Sequence, residues 1–315
     1  MEEAREGPGR RAWIVAFLPA LAVAVVAAVF IAREESRERN VGAPGTPVIF
    51  MLSPEHGNPG RLDAGERRAL ADGLRAASGL EVEVRVAATP IAAIEAFGGE
   101  ADVGLLSLFE YLLARLEYGV EARLQVLRGE GADAYAGEIL VRAPSRVRKV
   151  EDLAGKRIAY VDPHSTSGFI FPAKLLADAK VSVVPEFAGS HEKALERLRE
   201  GEVDAAATYA GAAAGKPFRA IARTPPIPDE PVFFRRGFPE EKRERLAAAL
   251  ERVAATPEGR RLLGDVAAIT GFKPATDAAY ADVLAVIRAA GKTVYEVVPE
   301  GVRVESRTRG IHSVP

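Results

Sequence analysis

The sequence predicts an α/β protein built in two units from parallel strand–helix–strand segments. Three observations carry that prediction. From Val48 onward, short β-branched strands alternate with amphipathic helical runs, the pattern that lays strands side by side and parallel. The chain has 315 residues, more than the roughly 250–300 at which a single core stops growing. Near residue 150 a fresh strand–turn–helix begins, carrying three consecutive hydroxyl residues in DPHSTSG at 162–168.

Composition narrows the function classes. The chain is 48% hydrophobic and 27% charged with a net charge of −2, which offers nucleic acid no basic surface. With one Trp and seven Tyr for stacking, no nucleic-acid partner is expected. The absence of cysteine removes disulfides, thiolate metal sites, cysteine nucleophiles and a lipid-attachment cysteine. The four histidines, His56, His164, His191 and His312, include no pair at i, i+4 spacing. Neither a metal nor another cofactor is expected.

Residues 1–11 form a polar flank, and 12–32 are an apolar run without charge, long enough to span a bilayer core. The expectation is an uncleaved signal anchor, with cleavage near Ala28 or Ala32 left open. Arg5, Arg10 and Arg11 on one side balance Arg33, Arg37 and Arg39 on the other. The Arg10-Arg11 pair abuts the apolar run, which favours a cytoplasmic N-terminus and a folded part on the periplasmic or extracellular face. Residues 33–47 are expected as a flexible linker reaching about 20 Å.

Taken in order, 48–52 is a strand, followed by a turn-rich loop, SPEHGNPG. A helix over 63–78 places Leu70, Leu74 and Ala77 on one stripe and ends at Gly79. Alternating valines mark a strand at 81–87, a short helix covers 91–97, and 102–106 is a buried strand. Ser107 and Glu110 have capping-box spacing, which starts a helix over 108–118. Strands follow at 122–127 and 135–142. In the second unit, strands are expected at 156–161, 182–187, 203–209 and 218–223, with helices over 169–179 and 190–200. TPPIPDEP at 224–231 breaks regular structure and returns the chain to the first unit. Residues 239–290 read as mainly helical, with Thr256 and Thr276 as caps. Residues 299–315 read as a loose tail.

The DPHSTSG turn places Ser165, Thr166 and Ser167 where a strand ends and a helix begins. Helix starts carry unpaired N–H groups and the positive end of the macrodipole, so they attract anions. Hydroxyls add donors, and Gly168 lets the backbone approach a bound group. Two readings stay open on this stretch alone: an oxyanion site, or Ser165 or Ser167 as an ordinary helix cap.

At 152–172 the sequence DLAGKRIAYVDPHSTSGFIFP resembles the substrate-binding proteins of phosphonate, phosphate and phosphite ABC importers. The likeness extends to 94–111, to the segment GSHE at 189–192 with GEVDA at 201–205, and to PIPDEPVF at 226–233. The resemblance implies a two-lobed, hinged periplasmic-binding-protein (type II) fold that closes over a small oxyanion. It also implies ABC permease and ATPase subunits as partners. Lobe one would combine 48–144 with 232–298, and lobe two would be 145–231. The family's phosphoryl-binding hydroxyls map onto Ser165, Thr166 and Ser167, its histidine onto His191, its crossover acid onto Glu230, and a tyrosine onto Tyr135. His191 is expected to pair with phosphoryl oxygen through a charge-assisted bond. Two positions depart from the pattern. Ile91 stands where the family has a tyrosine, and AAATYAGAAAG at 205–215 offers no acid to a ligand amine. Two other readings are a membrane-anchored sensor ectodomain acting with a separate partner, and a serine-type hydrolase using Ser165, His191 and Asp162. The latter lacks the first glycine of a nucleophile elbow.

Overall fold

The computed structural model describes residues 38–54 and 62–305. The expected flank (1–11), apolar span (12–32), start of the linker, most of the SPEHGNPG loop and end of the tail lie outside the described residues. Among the described residues, no helix is long and apolar enough to cross a membrane.

The chain runs β1 (Val48–Leu52), α1 (Ala64–Ser78), β2 (Val82–Val86), α2 (Pro90–Glu95), β3 (Val103–Leu105), α3 (Leu108–Tyr118) and β4 (Glu121–Arg128). Two short strands next to the crossover follow, β5 (Ala134–Tyr135) and β6 (Gly137–Arg142). Then come β7 (Arg157–Tyr160), α4 (Phe171–Asp178), β8 (Val184–Phe187), α5 (His191–Glu200), β9 (Ala205–Tyr209) and β10 (Phe218–Arg223). The return passes through β11 (Ile227–Pro228) into β12 (Pro231–Phe234), α6 (Glu240–Ala255), α7 (Pro257–Ala267), β13 (Ile269–Pro274) and α8 (Ala281–Ala289).

Among the described residues the strands form three sheets, in the orders β13-β4-β12-β3-β1-β2, β10-β6-β9-β7-β8 and β11-β5. Strand β1 is buried at every position, and its side chains split by parity. Val48, Phe50 and Leu52 pack on one face of the sheet with Leu70, Leu74 and Leu250. Ile49 and Met51 pack on the other with Ile94, Leu113 and Ile287. In the second sheet Ile158 and Tyr160 face one core while Ala159 faces another. Both sheets are therefore sandwiched by helices, as an α/β architecture requires. The pairing is mixed rather than wholly parallel. Strands β1, β2 and β3 are parallel, as are β7, β8 and β9, whereas β12, β13, β6 and β10 run antiparallel to their neighbours.

Local signals account for the helix ends. Asp63 Oδ1 accepts the Glu66 N–H at 2.8 Å while Glu66 Oε2 accepts the Asp63 N–H at 3.0 Å, a reciprocal cap on α1. A deeper contact pins the first sheet. Asp102 is 1% exposed; its Oδ2 accepts the Ile49 N–H at 3.0 Å and its Oδ1 accepts Arg235 Nε at 2.8 Å. One buried ion pair thus ties the ends of β1, β3 and β12.

The 239–290 segment is mainly helical as expected, with one strand, β13, against β4. Three expectations need correction. Strand β6, assigned to the first unit, pairs with β9 and β10 in the second sheet, so the crossing falls at β5 rather than after residue 144. The tail does not loosen at 299, because Val304 is buried in the same core as Val297 and Val298. The linker is docked from residue 38: Lys242 Nζ donates to the carbonyls of Glu38, Arg39 and Val41 at 3.2, 2.7 and 2.8 Å, and Val41 is buried.

Removing one partner of a buried ion pair strands the other charge. Asp102→Ala is expected to lower stability by about 3–5 kcal/mol in urea unfolding.

Candidate functional site

Strand β7 delivers the chain to Asp162, whose Oδ1 accepts the His164 N–H at 2.7 Å and closes a side-chain turn. The next five residues, Thr166–Ile170, form a π-helical turn ahead of α4. The Ser165 carbonyl accepts both Phe169 N–H (3.1 Å) and Ile170 N–H (3.0 Å), and its Oγ accepts Gly168 N–H at 3.1 Å. The N–H groups of Thr166 and Ser167 precede the first of these intrahelical bonds and point out of the helix start. Ser165 therefore caps the turn, and the Thr166 and Ser167 N–H groups stand outside its intrahelical bonds. π-Turns of this kind recur at functional sites.

Glycine works here differently from the expectation. A Cβ on Gly168 would sit 2.3 Å from Val161 Cγ2, so its bare backbone serves packing against β7. A Cβ on Gly137 would lie 2.7 Å from the Ser167 carbonyl, which seats the turn directly on β6.

A second helix start stands beside the first. Ser190 Oγ accepts the Lys193 N–H at 3.1 Å and caps α5, whose first residue is His191. His191 Nδ1 lies 2.8 Å from Thr208 Oγ1, and its ring meets Tyr209 edge-on with centroids 4.9 Å apart. Burial pushes the imidazole below its ordinary value, against an upward pull from Asp162. That shift favours the neutral imidazole, which can still donate an N–H to an anion.

The wall opposite is acidic and tightly paired. Arg128, at the end of β4, makes a bidentate pair with Glu230 at 2.6 and 2.8 Å, a further bond to Asp229 Oδ1, and donates Nε–H to the Ala267 carbonyl at 2.9 Å. Burial opposes the guanidinium charge, but the Glu230 and Asp229 carboxylates outweigh it and hold Arg128 above its usual range. Asp229 is pushed up to about 6, by burial first and by Glu230, against the pull of Arg128. Tyr135 sits at the crossover with 37% of its surface open to the cleft. Its hydroxyl end is desolvated and lies beside the Thr166 side chain; that desolvation and the Glu230 charge raise the phenol well above its ordinary value.

These walls enclose a cleft of about 1030 Å³. Ser165, Thr166, Ser167, His191, Tyr135 and Glu230, all named from sequence, line it together. The residues proposed for a hydrolase do not assemble as one: Ser165 Oγ serves Gly168, Asp162 serves His164, and His191 Nδ1 turns to Thr208. Sequence reasoning missed Arg128, which is the only Lys or Arg lining the cleft among the described residues. Its carboxylate partners stand 101 and 102 positions away, so no local pattern announces it. It also missed Tyr209 and the start of α3, where Glu110 accepts Ser107 N–H (2.8 Å) and Ser53 Oγ–H (2.9 Å). The α3 capping box was legible; its place on the cleft was not.

Comparisons with known proteins bear on the family and the fold. The family model described as "ABC transporter, phosphonate, periplasmic substrate-binding protein" matches residues 64–280. The phosphate-import protein PhnD of Mycolicibacterium smegmatis is 31% identical over 121 residues, 34% of this chain. That match spans only 38% of the relative's own length. Among solved structures, XAC2383 from Xanthomonas citri bound to ATP superposes with a TM-score of 0.62 at 19% identity, covering 78% of this chain and 96% of that one. PhnD1 from Prochlorococcus marinus in complex with methylphosphonate gives 0.57 at 17% identity, covering 78% and 98%. At such identities the structural likeness shows the fold, a two-sheet α/β arrangement of the periplasmic-binding-protein type. With the family model matching more than two thirds of its residues, the chain belongs to the periplasmic substrate-binding proteins of phosphonate ABC transporters.

Proposed function

We propose that this protein captures a phosphorus oxyanion (a phosphonate, phosphite or phosphate) in the cleft and delivers it to the permease and ATPase of an ABC importer. The observation that carries the reading is the turn at Ser165, Thr166 and Ser167. Two hydroxyl residues and two N–H groups ahead of the first intrahelical bond meet there at the positive end of a helix, on the wall of the cleft. His191 and the capped start of α5 add a second set of donors beside it.

The site would hold its anion with neutral donors. Arg128 is committed to Asp229, Glu230 and Ala267, so hydroxyls, backbone N–H groups and a neutral imidazole provide the binding. The Glu230 carboxylate lines the cleft and would serve as the acceptor for a P–OH proton. Such an acceptor favours a protonated phosphorus oxyanion over sulfate. The six-stranded and five-stranded units act as the two lobes, and the β5–β11 ribbon is the hinge about which they close. Residues 12–32 tether the protein to the membrane and leave the lobes on its outer face.

Calorimetry on the full-length protein tests the reading. Heat is expected with phosphate, phosphite or methylphosphonate and none with sulfate; silence with every phosphorus oxyanion would overturn it. Thr166→Val and Ser167→Ala are each expected to weaken binding by about tenfold to a hundredfold, the value of one hydrogen bond to a charged group, with an unchanged melting profile.

The acid pair gives a pH signature. The folded pKa of Asp229, about 6, lies above its unfolded value near 3.9. The folded state therefore holds this proton more tightly, and the associated stability is fully present below about pH 4 and lost as pH rises through 6. Asp229→Asn is expected to flatten the stability profile across that window, as followed by urea unfolding at successive pH values.

A further inference from the structure

We infer that Tyr209 is a specificity-determining residue that forms, with Tyr135, an aromatic slot for a flat or apolar substituent on the phosphorus. The inference rests on the proposed capture of a phosphorus oxyanion at the Ser165–Ser167 turn, and it names the class of ligand that the same cleft takes.

Tyr209 closes β9 with 45% of its surface exposed, and Tyr135 has 37% exposed; both line the cleft. Tyr209 pairs with Gly137, whose missing Cβ would touch the Ser167 carbonyl, and Tyr135, two residues before Gly137, lies beside the Thr166 side chain. Both rings thus stand near the atoms that would hold a phosphoryl group. The Tyr209 ring is also held in place, because its contact with His191 is edge-on at 73° and His191 is itself fixed by Thr208. An aromatic face kept open and pre-oriented beside an anion turn gains contact area only when a ligand covers it.

The surroundings select the kind of group. The residues about Tyr209, AAATYAGAAA at 205–214, carry no charge, so an ammonium substituent finds no carboxylate on that segment. The acids of the opposite wall are occupied in part by Arg128. The cleft, at about 1030 Å³, stands at the top of the roughly 300–1,000 Å³ that accommodates drug-sized ligands, ample for a substituent beyond the phosphoryl head.

The test is a titration of the full-length protein with phosphate, methylphosphonate, phenylphosphonate and 2-aminoethylphosphonate. Phenylphosphonate is expected to bind at least about tenfold more tightly than methylphosphonate, the range for burying an aromatic ring against a matching face. Tyr209→Ala should bring the two to within about twofold, and Tyr209→Phe should keep the preference. Tyr209→Leu, which retains apolar volume without a π face, provides a second variant if the alanine protein does not fold, and the same loss is expected. Equal binding of the phenyl and methyl ligands, a preference untouched by Tyr209→Ala or Tyr209→Leu, or a preference for the aminoethyl ligand would overturn the slot while leaving oxyanion capture standing. No heat with any of the four would overturn both.

Discussion

One guanidinium joins the parts of this molecule that have to meet at the cleft. Arg128 ends β4, grips Asp229 and Glu230 on the return crossover, and caps the last carbonyls of α7 through Ala267. Gln125, on the same strand, donates to the carbonyl of Asp133 at 2.7 Å and reaches that of Asp229 at 3.4 Å, so both crossover segments are fastened to β4. The cluster carries one positive and two negative charges in a largely buried setting. Its worth lies in geometry more than in net energy, since desolvation takes back much of what the Coulombic attraction gives. Without it, two carboxylates would be left facing each other at the point where the chain passes between sheets.

The opposite wall works by a different principle. There the sequence builds positive potential from peptide groups rather than from side-chain charge. Two capped helix starts, at Ser165 and Ser190, converge on one cavity. Helix dipoles and oriented N–H groups need no counter-ion and undergo no reorganisation when an anion arrives. The π-turn at 166–170 shapes this wall by stepping the chain around Val161, which is why the position behind the hydroxyls must be glycine.

How much of this could be read beforehand depends on the reach of each interaction. The capping pair three residues apart, Ser107 with Glu110, was visible, and its helix starts where it says. The glycine stop at 79 was visible for the same reason. Strand membership was less legible: β6 looks the same in sequence whether it pairs with β4 or β9, because register is settled by strands about 70 residues downstream. The hydroxyl turn was legible as a motif, but the role of Gly168 depends on a valine on the preceding strand. The charge of His191 depends on burial, which its neighbours in sequence do not report. The Arg128 cluster, bridging about a hundred residues, left no local trace.

The docking of residues 38–41 has a mechanical meaning. Lys242 gathers three carbonyls of that segment onto α6, and Arg235 approaches Glu38 at 3.9 Å; both basic residues belong to the six-stranded unit. A pull on the chain ahead of residue 38 therefore enters the molecule through the α6 face of the six-stranded unit. Under the proposed two-lobe closure, the six-stranded half would be the moored one and the five-stranded half the one that moves.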